Sequence, residues 1–155
     1  MNQLIYGQIQ GFLMALQSLN HSEHGEYCEF TFAHVPRVGA LGCSLTKHMQ
    51  AVVRTTGRDW HGKPTLQEVR NWRNHLPKKL HEMFFFLRQT SNTATVNSFM
   101  ELLMGFFEDD NIKVWKLEWF MPGGQSTYSW SVAYPADYVF EHHDEIFHLT
   151  LIYSD

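Results

Sequence analysis

Ten histidines in a chain of 155 residues supply groups that bind metals or move protons near neutral pH. The densest gathering is Glu141-His142-His143-Asp144-Glu145 with His148 close behind, and His21 and His24 form a second pair. Zinc takes three or four such N and O donors in tetrahedral array. The spacings that bring ligands together locally, His-Glu-x-x-His and Cys-x-x-Cys, do not occur. His142 and Asp144 fall in what reads as a tight turn, where solvated polar residues are ordinary. The expectation is no metal and no cofactor, with a metal-dependent hydrolase on this His-rich turn kept as a third functional reading.

Nucleophilic chemistry has two candidates, Cys28 and Cys43. A Cys–His pair needs adjacency in space rather than in sequence. Cys28 falls on the inward row of an expected strand, the place of a structural thiol. Cys43 follows Gly42 near an expected helix start, where thiols gain reactivity. Neither context defines a catalytic centre. There is no Gly-x-Ser-x-Gly elbow and no Gly-rich phosphate loop ending in Lys-Ser or Lys-Thr. The catalytic set is empty and the expected class is not an enzyme. The cysteines read as free thiols of a reducing compartment, a single disulfide staying open. With Arg37 the first base and no apolar run long enough to span a bilayer, the expected location is cytoplasmic.

Charge is segregated along the chain. Residues 37–88 carry ten bases against three acids, whereas residues 89–155 carry two bases against ten acids, within a net charge of -4. The basic block Arg54, Arg58, Lys63, Arg70, Arg73, Lys78 and Lys79 is interleaved with Trp60 and Trp72. Phosphate contacts with aromatic stacking hold single strands in this way. Trp72 lies on an apolar helical stripe, however, and the whole chain is acidic, so nucleic-acid binding through 54–79 is the second reading. The acids concentrate in Glu108-Asp109-Asp110 and in Glu141 with Asp144-Glu145. The first cluster follows an expected helix, where carboxylates oppose the macrodipole by about 0.3–1 kcal/mol each and call for a reason beyond local stability.

The elements that must position these groups are legible from period. Residues 2–19 read as a helix with Ile5, Ile9, Phe12, Leu13, Leu16 and Leu19 on its stripe. Gly7 and Gly11 lie one turn apart, weakening that helix while permitting close approach by another element. Residues 26–34 read as a strand with Cys28, Phe30 and Phe32 inward. Ser44 is placed to cap a helix bearing Leu45, Met49, Val52 and Val53. Thr65 and Glu68 have capping-box spacing before Leu66, Val69, Trp72 and Leu76, and Pro77 should end or kink that helix or open the next. Residues 78–89 continue helical. Thr93 or Thr95 caps a further helix through Phe107.

From residue 113 onward the period is two. Trp115, Leu117 and Trp119 form one row, Tyr128, Trp130, Val132 and Tyr134 a second, and Phe147, Leu149, Leu151 and Tyr153 a third. Each row is expected to bury one face under helices. Residues 121–124 read as a turn joining the Trp115 and Trp130 strands, Pro135 stops the latter, and 137–141 and 146–153 form a second hairpin. The fold expected is a single α+β domain over 1–155. Its mainly antiparallel sheet of four or five strands, a C-terminal meander plus the strand near 26–34, is covered by N-terminal and central helices.

In its acidic turns and its lack of catalytic motifs, the whole chain resembles the bacterial immunity proteins encoded beside contact-dependent growth inhibition and other polymorphic toxins. The resemblance implies a small cytoplasmic inhibitor that binds a cognate toxin domain, a nuclease, and occludes its active site, with no membrane or nucleic-acid partner. The residues expected to meet a basic partner are Glu108, Asp109, Asp110, Glu141, Asp144 and Glu145.

Overall fold

The computed structural model describes residues 2–20, 27–55, 61–85, 92–108, 111–120 and 134–154. Within them lie four helices and five strands: α1 (Gln3–Asn20), β1 (Tyr27–Val35), α2 (Leu41–Arg54), β2 (Lys63–Glu68), α3 (Trp72–Phe84), α4 (Thr93–Phe106), β3 (Ile112–Phe120), β4 (Tyr134–His142) and β5 (Glu145–Ser154). The strands make one antiparallel sheet in the order β1-β5-β4-β3-β2. The expected single α+β domain is therefore observed.

Alternation along the strands separates two faces. On the major face Cys28, Phe30 and Phe32 of β1 lie opposite Tyr153, Leu151 and Leu149 of β5. Tyr138 and Phe140 of β4 and Val114 of β3 extend the row, and α1, α3 and α4 bury it. Aromatic rings fill the centre. Phe32 stacks on Phe147 at 5.5 Å, Phe107 on Phe140 at 5.4 Å, and Phe106 meets Phe147 edge-on at 4.9 Å. Truncating one such ring leaves a cavity as well as losing transfer energy, roughly 3–5 kcal/mol for Phe→Ala.

The minor face carries the opposite rows: Val35, Leu117, Val139 and Ile146, joined by the half-buried Trp115, Trp119 and Leu66. Its helical cover is α2. The rows led by Trp115 and by Leu149, expected under a common layer, thus lie on opposite faces. One residue of register decides which face a row takes, and the register Leu117↔Asp137 with Asp137↔Thr150 puts Leu117 with the even-numbered row of β5. The row of His148 and Thr150, which alternation alone would leave to solvent, is buried as well.

Several boundaries differ from expectation. Thr65 and Glu68 do not cap a helix; they lie in the edge strand β2, where Pro64 and Leu66 turn inward and pair with Trp119 and Leu117. Pro77 neither ends nor opens a helix but sits inside α3, where one missing N–H is offset by burial of Trp72, Leu76, Leu80, Met83 and Phe84. Ser44 lies within α2, buried, accepting from the Val38 N–H at 2.8 Å. Asn92, not Thr93 or Thr95, caps α4, its side chain accepting from the Ala94 and Thr95 N–H groups. Pro135 lies within β4. The expected turn at 121–124 and the strand around Trp130 fall outside the described residues, and both edges of β3 are taken by β2 and β4.

Candidate functional site: the acidic end of the sheet

The β4–β5 hairpin closes between His142 and Glu145, a directly opposed pair. His143 takes a φ of 53°, the left-handed conformation that a two-residue hairpin loop asks of its first position and that His tolerates better than most residues. β1 ends beside it, Val35 opposite Ile146, and β3 begins beside it, Ile112 opposite His142. The ring of Phe107, just past α4, lies 5.6 Å from that of His142. Glu108 is thereby brought to the same end of the sheet as Glu141, Asp144 and Glu145. Asp109 and Asp110 follow Glu108 in the chain and lie outside the described residues.

Arg37 organises this end. Its Nη2 donates to Glu141 Oε1 and its Nε to the Asp144 carbonyl at 3.1 Å, so one guanidinium fork ties the chain beyond β1 to both sides of the hairpin. His34 Nε2 lies 3.9 Å from Glu145 Oε1. Glu141 and Glu145 are half-buried; Asp144 and Glu108 are exposed, and neither carboxylate has a partner among the described residues. The six expected residues therefore divide: two are anchored, two project, and two are beyond description. Arg37 escaped the sequence reading, since nothing in a lone base after Pro36 announces a contact a hundred residues away.

The metal reading does not gather its donors. His142 and Asp144 lie at the hairpin, whereas His148 is buried on the minor face with Nε2 2.9 Å from Asp137 Oδ1. Among the described residues no three His, Cys, Asp or Glu side chains converge on one position. The thiols are equally separate. Cys28 is buried, its Sγ donating to the Gln17 carbonyl at 3.3 Å, and burial pushes its thiol pKa up; Cys43 is exposed and free. The basic block is divided too. Arg54 ends α2 on the minor face, whereas Arg73, Lys78 and Lys79 belong to α3 on the major face. Trp72 is buried, with Arg73 packed against its ring at 5.1 Å. Arg70 faces Glu68 at 3.7 Å and Lys79 pairs with Glu82 at 2.7 Å; Arg58 and Trp60 lie outside the described residues.

A second polar constellation was missed. Thr150 Oγ1 donates to Asp137 Oδ1 at 2.9 Å, completing a buried triangle with His148, and the His48 ring from α2 stands edge-on to His148 at 6.0 Å. Asp137 and Thr150 are opposed across the β4–β5 register. Its polar atoms satisfy one another beneath α2, which makes it a buried network rather than an accessible centre. Neither a family model, nor a curated protein, nor a solved structure matches this chain.

Proposed function

We propose that this chain is an immunity-type protein, one that binds a cognate bacterial toxin domain and neutralises it by covering its active site. The toxin domain would be a basic nuclease. The observation that supports this reading most is the meeting of acidic segments from two parts of the chain at one end of the sheet. Glu108 arrives from α4, and Glu141, Asp144 and Glu145 from the hairpin, on a support tied by Arg37. A preorganised carboxylate surface offers a nuclease's Lys and Arg groups what a phosphate backbone offers, and its field speeds encounter. The inhibitor needs no catalytic group, because stoichiometric occlusion suffices.

The test is co-purification with the product of the adjacent upstream gene, followed by kinetics on Glu108→Lys and Asp144→Lys. These exposed carboxylates, which have no partner among the described residues, can be reversed without breaking the Arg37 clamp. The expected outcome is a complex whose association slows about tenfold in the double variant at low salt and less at high salt. Absence of a complex with any neighbouring gene product, together with salt-sensitive RNA or DNA binding lost on changing Arg70 and Arg73, would replace this reading by the nucleic-acid one. A complex indifferent to both reversals would place the interface elsewhere on the molecule.

A further inference from the structure

The sheet has two outer strands, β1 and β2, and the chain treats them differently. An edge strand presents a row of backbone N–H and C=O groups on which another chain can pair. At β2 that row is blunt. The strand is six residues long and begins at Lys63. The bond from the Val69 N–H to the Val114 carbonyl at 2.8 Å continues the β2–β3 register, so alternation sets the backbone of Pro64, Leu66 and Glu68 outward. Pro64 brings no N–H to that edge. β1 has none of these features. It is nine residues long, and Phe30-Thr31-Phe32-Ala33-His34-Val35 contains no Asp, Glu, Lys, Arg or Pro. An apolar, β-prone window of this kind is the type that pairs strand on strand between chains.

What β1 has instead is α1. Phe30, Phe32 and His34 are the alternate residues whose backbone points away from β5. The Phe30 N–H donates to Gln17 Oε1 at 3.1 Å. The Phe32 carbonyl accepts from the Tyr6 hydroxyl at 3.1 Å and from Gln10 Nε2 at 3.3 Å. The His34 N–H donates to that same hydroxyl at 3.1 Å. Tyr6, Gln10 and Gln17 follow one another at four and seven residues, which lines them up along one side of a helix, beside the buried Ile9, Leu13 and Leu16. From Tyr6 to Gln17 the helix advances about 16 Å, and from Phe30 to His34 the strand advances about 14 Å. One row of side chains therefore spans the outward row of the strand. Gln10 is exposed, so core packing does not account for its place in that row.

We infer that Tyr6, Gln10 and Gln17 guard the β1 edge: by holding the backbone groups a further strand would use, they keep the sheets of two copies from joining through β1. A second copy is the strand they exclude. An antiparallel β1–β1 pair centred on Phe32 would set each outward N–H opposite the other copy's carbonyl, and the 30–35 window would bring no like-charged carboxylates or ammonium groups together. α1 thus has a task apart from its share of the core. The helix that buries Ile9, Leu13 and Leu16 also takes the long edge of the sheet out of reach.

Sedimentation of the full chain from about 5 to 500 μM tests this. Tyr6→Phe combined with Gln10→Ala and Gln17→Ala deletes the guarding groups and keeps a ring at position 6 against Phe32 and Phe106. This triple variant should associate at concentrations at least about tenfold below the parent. Tyr6→Phe alone, which changes a single oxygen and leaves the fold intact, should move in the same direction. Gln10→Lys with Gln17→Glu keeps one donor and one acceptor in place and should behave as the parent. Adding His34→Pro to the triple variant removes an outward N–H from β1 and should restore the parent's behaviour. Leu45→Ala weakens the minor-face core with every bond of the β1 edge in place, so it separates loss of the guard from loss of stability and should not associate. Triple and single variants that associate no more than the parent would overturn the proposal. Equal association by Leu45→Ala or by the Lys–Glu variant, or association indifferent to His34→Pro, would overturn it as well.

Discussion

At the scale of single residues, His48 couples the fold to pH. An imidazole in an unfolded chain titrates near 6.5; burial between α2 and the sheet, with His148 adding repulsion, holds His48 down to about 4. Between these values the unfolded chain binds the proton and the folded chain does not, so stability rises with pH across that interval. The contribution is complete above about 6.5 and drains away as pH falls toward 4. Thermal melts at pH 7 and pH 5 should show a lower melting temperature at pH 5, and His48→Gln should narrow the gap. An unchanged gap in that variant would move the acid sensitivity elsewhere. Neither His48 nor the Asp137–His148–Thr150 triangle was legible as a unit. Polar residues alternating with Phe147, Leu149 and Leu151 have the pattern of a solvated face, and only the cover by α2 and the register Asp137↔Thr150 bury them together.

At the scale of elements, strong periodicity carried over and punctuation did not. β1, β5, the aromatic stripe of α4 and α1 as far as Leu16 follow their apolar spacing closely, whereas Leu19, expected on the α1 stripe, stands 59% exposed. β2 was misread because Thr65-x-x-Glu68 has the spacing of a capping box, while the alternation of Pro64 and Leu66 is too short to dominate; pairing with β3 decides the outcome. Cap assignment near α4 failed for a similar reason. Asn92, Thr93 and Thr95 are all good cap types, and only geometry shows that the Asn92 side chain accepts from Ala94 N–H at 3.0 Å. Asn92→Ala is therefore expected to lower stability by about 1 kcal/mol, while Thr93→Ala and Thr95→Ala change it by less than about 0.5 kcal/mol. Urea titrations of the three variants would reverse the assignment if either threonine proved the costlier loss.

At the scale of the molecule, one sheet is covered unequally on its two sides. The major face is sealed by three helices, of which α1 buries four residues and α3 and α4 five each, whereas α2 buries only Ser44 and Leu45. Its stripe is interrupted by the half-buried His48, and Val52 stands 47% exposed. Local opening free energy follows the apolar contact that opening breaks, so the elements of a domain need not share one stability. α2 can lift while the Phe32–Phe147 cluster of the major core stays closed. Native-state hydrogen exchange should therefore find the α2 amides protected at least about tenfold less than those of β4, β5 and α3. Leu45→Ala should widen that difference, because it removes the one fully buried apolar anchor of the helix while leaving every major-face contact in place. Opening would also wet the Asp137–His148–Thr150 triangle, so the protection of the α2 amides, taken relative to the intrinsic exchange rate at each pH, should fall further below pH 6.5, where a lifted helix lets His48 take up its proton. Protection in α2 equal to that in β5, unchanged by Leu45→Ala, would instead make the two faces a single cooperative unit.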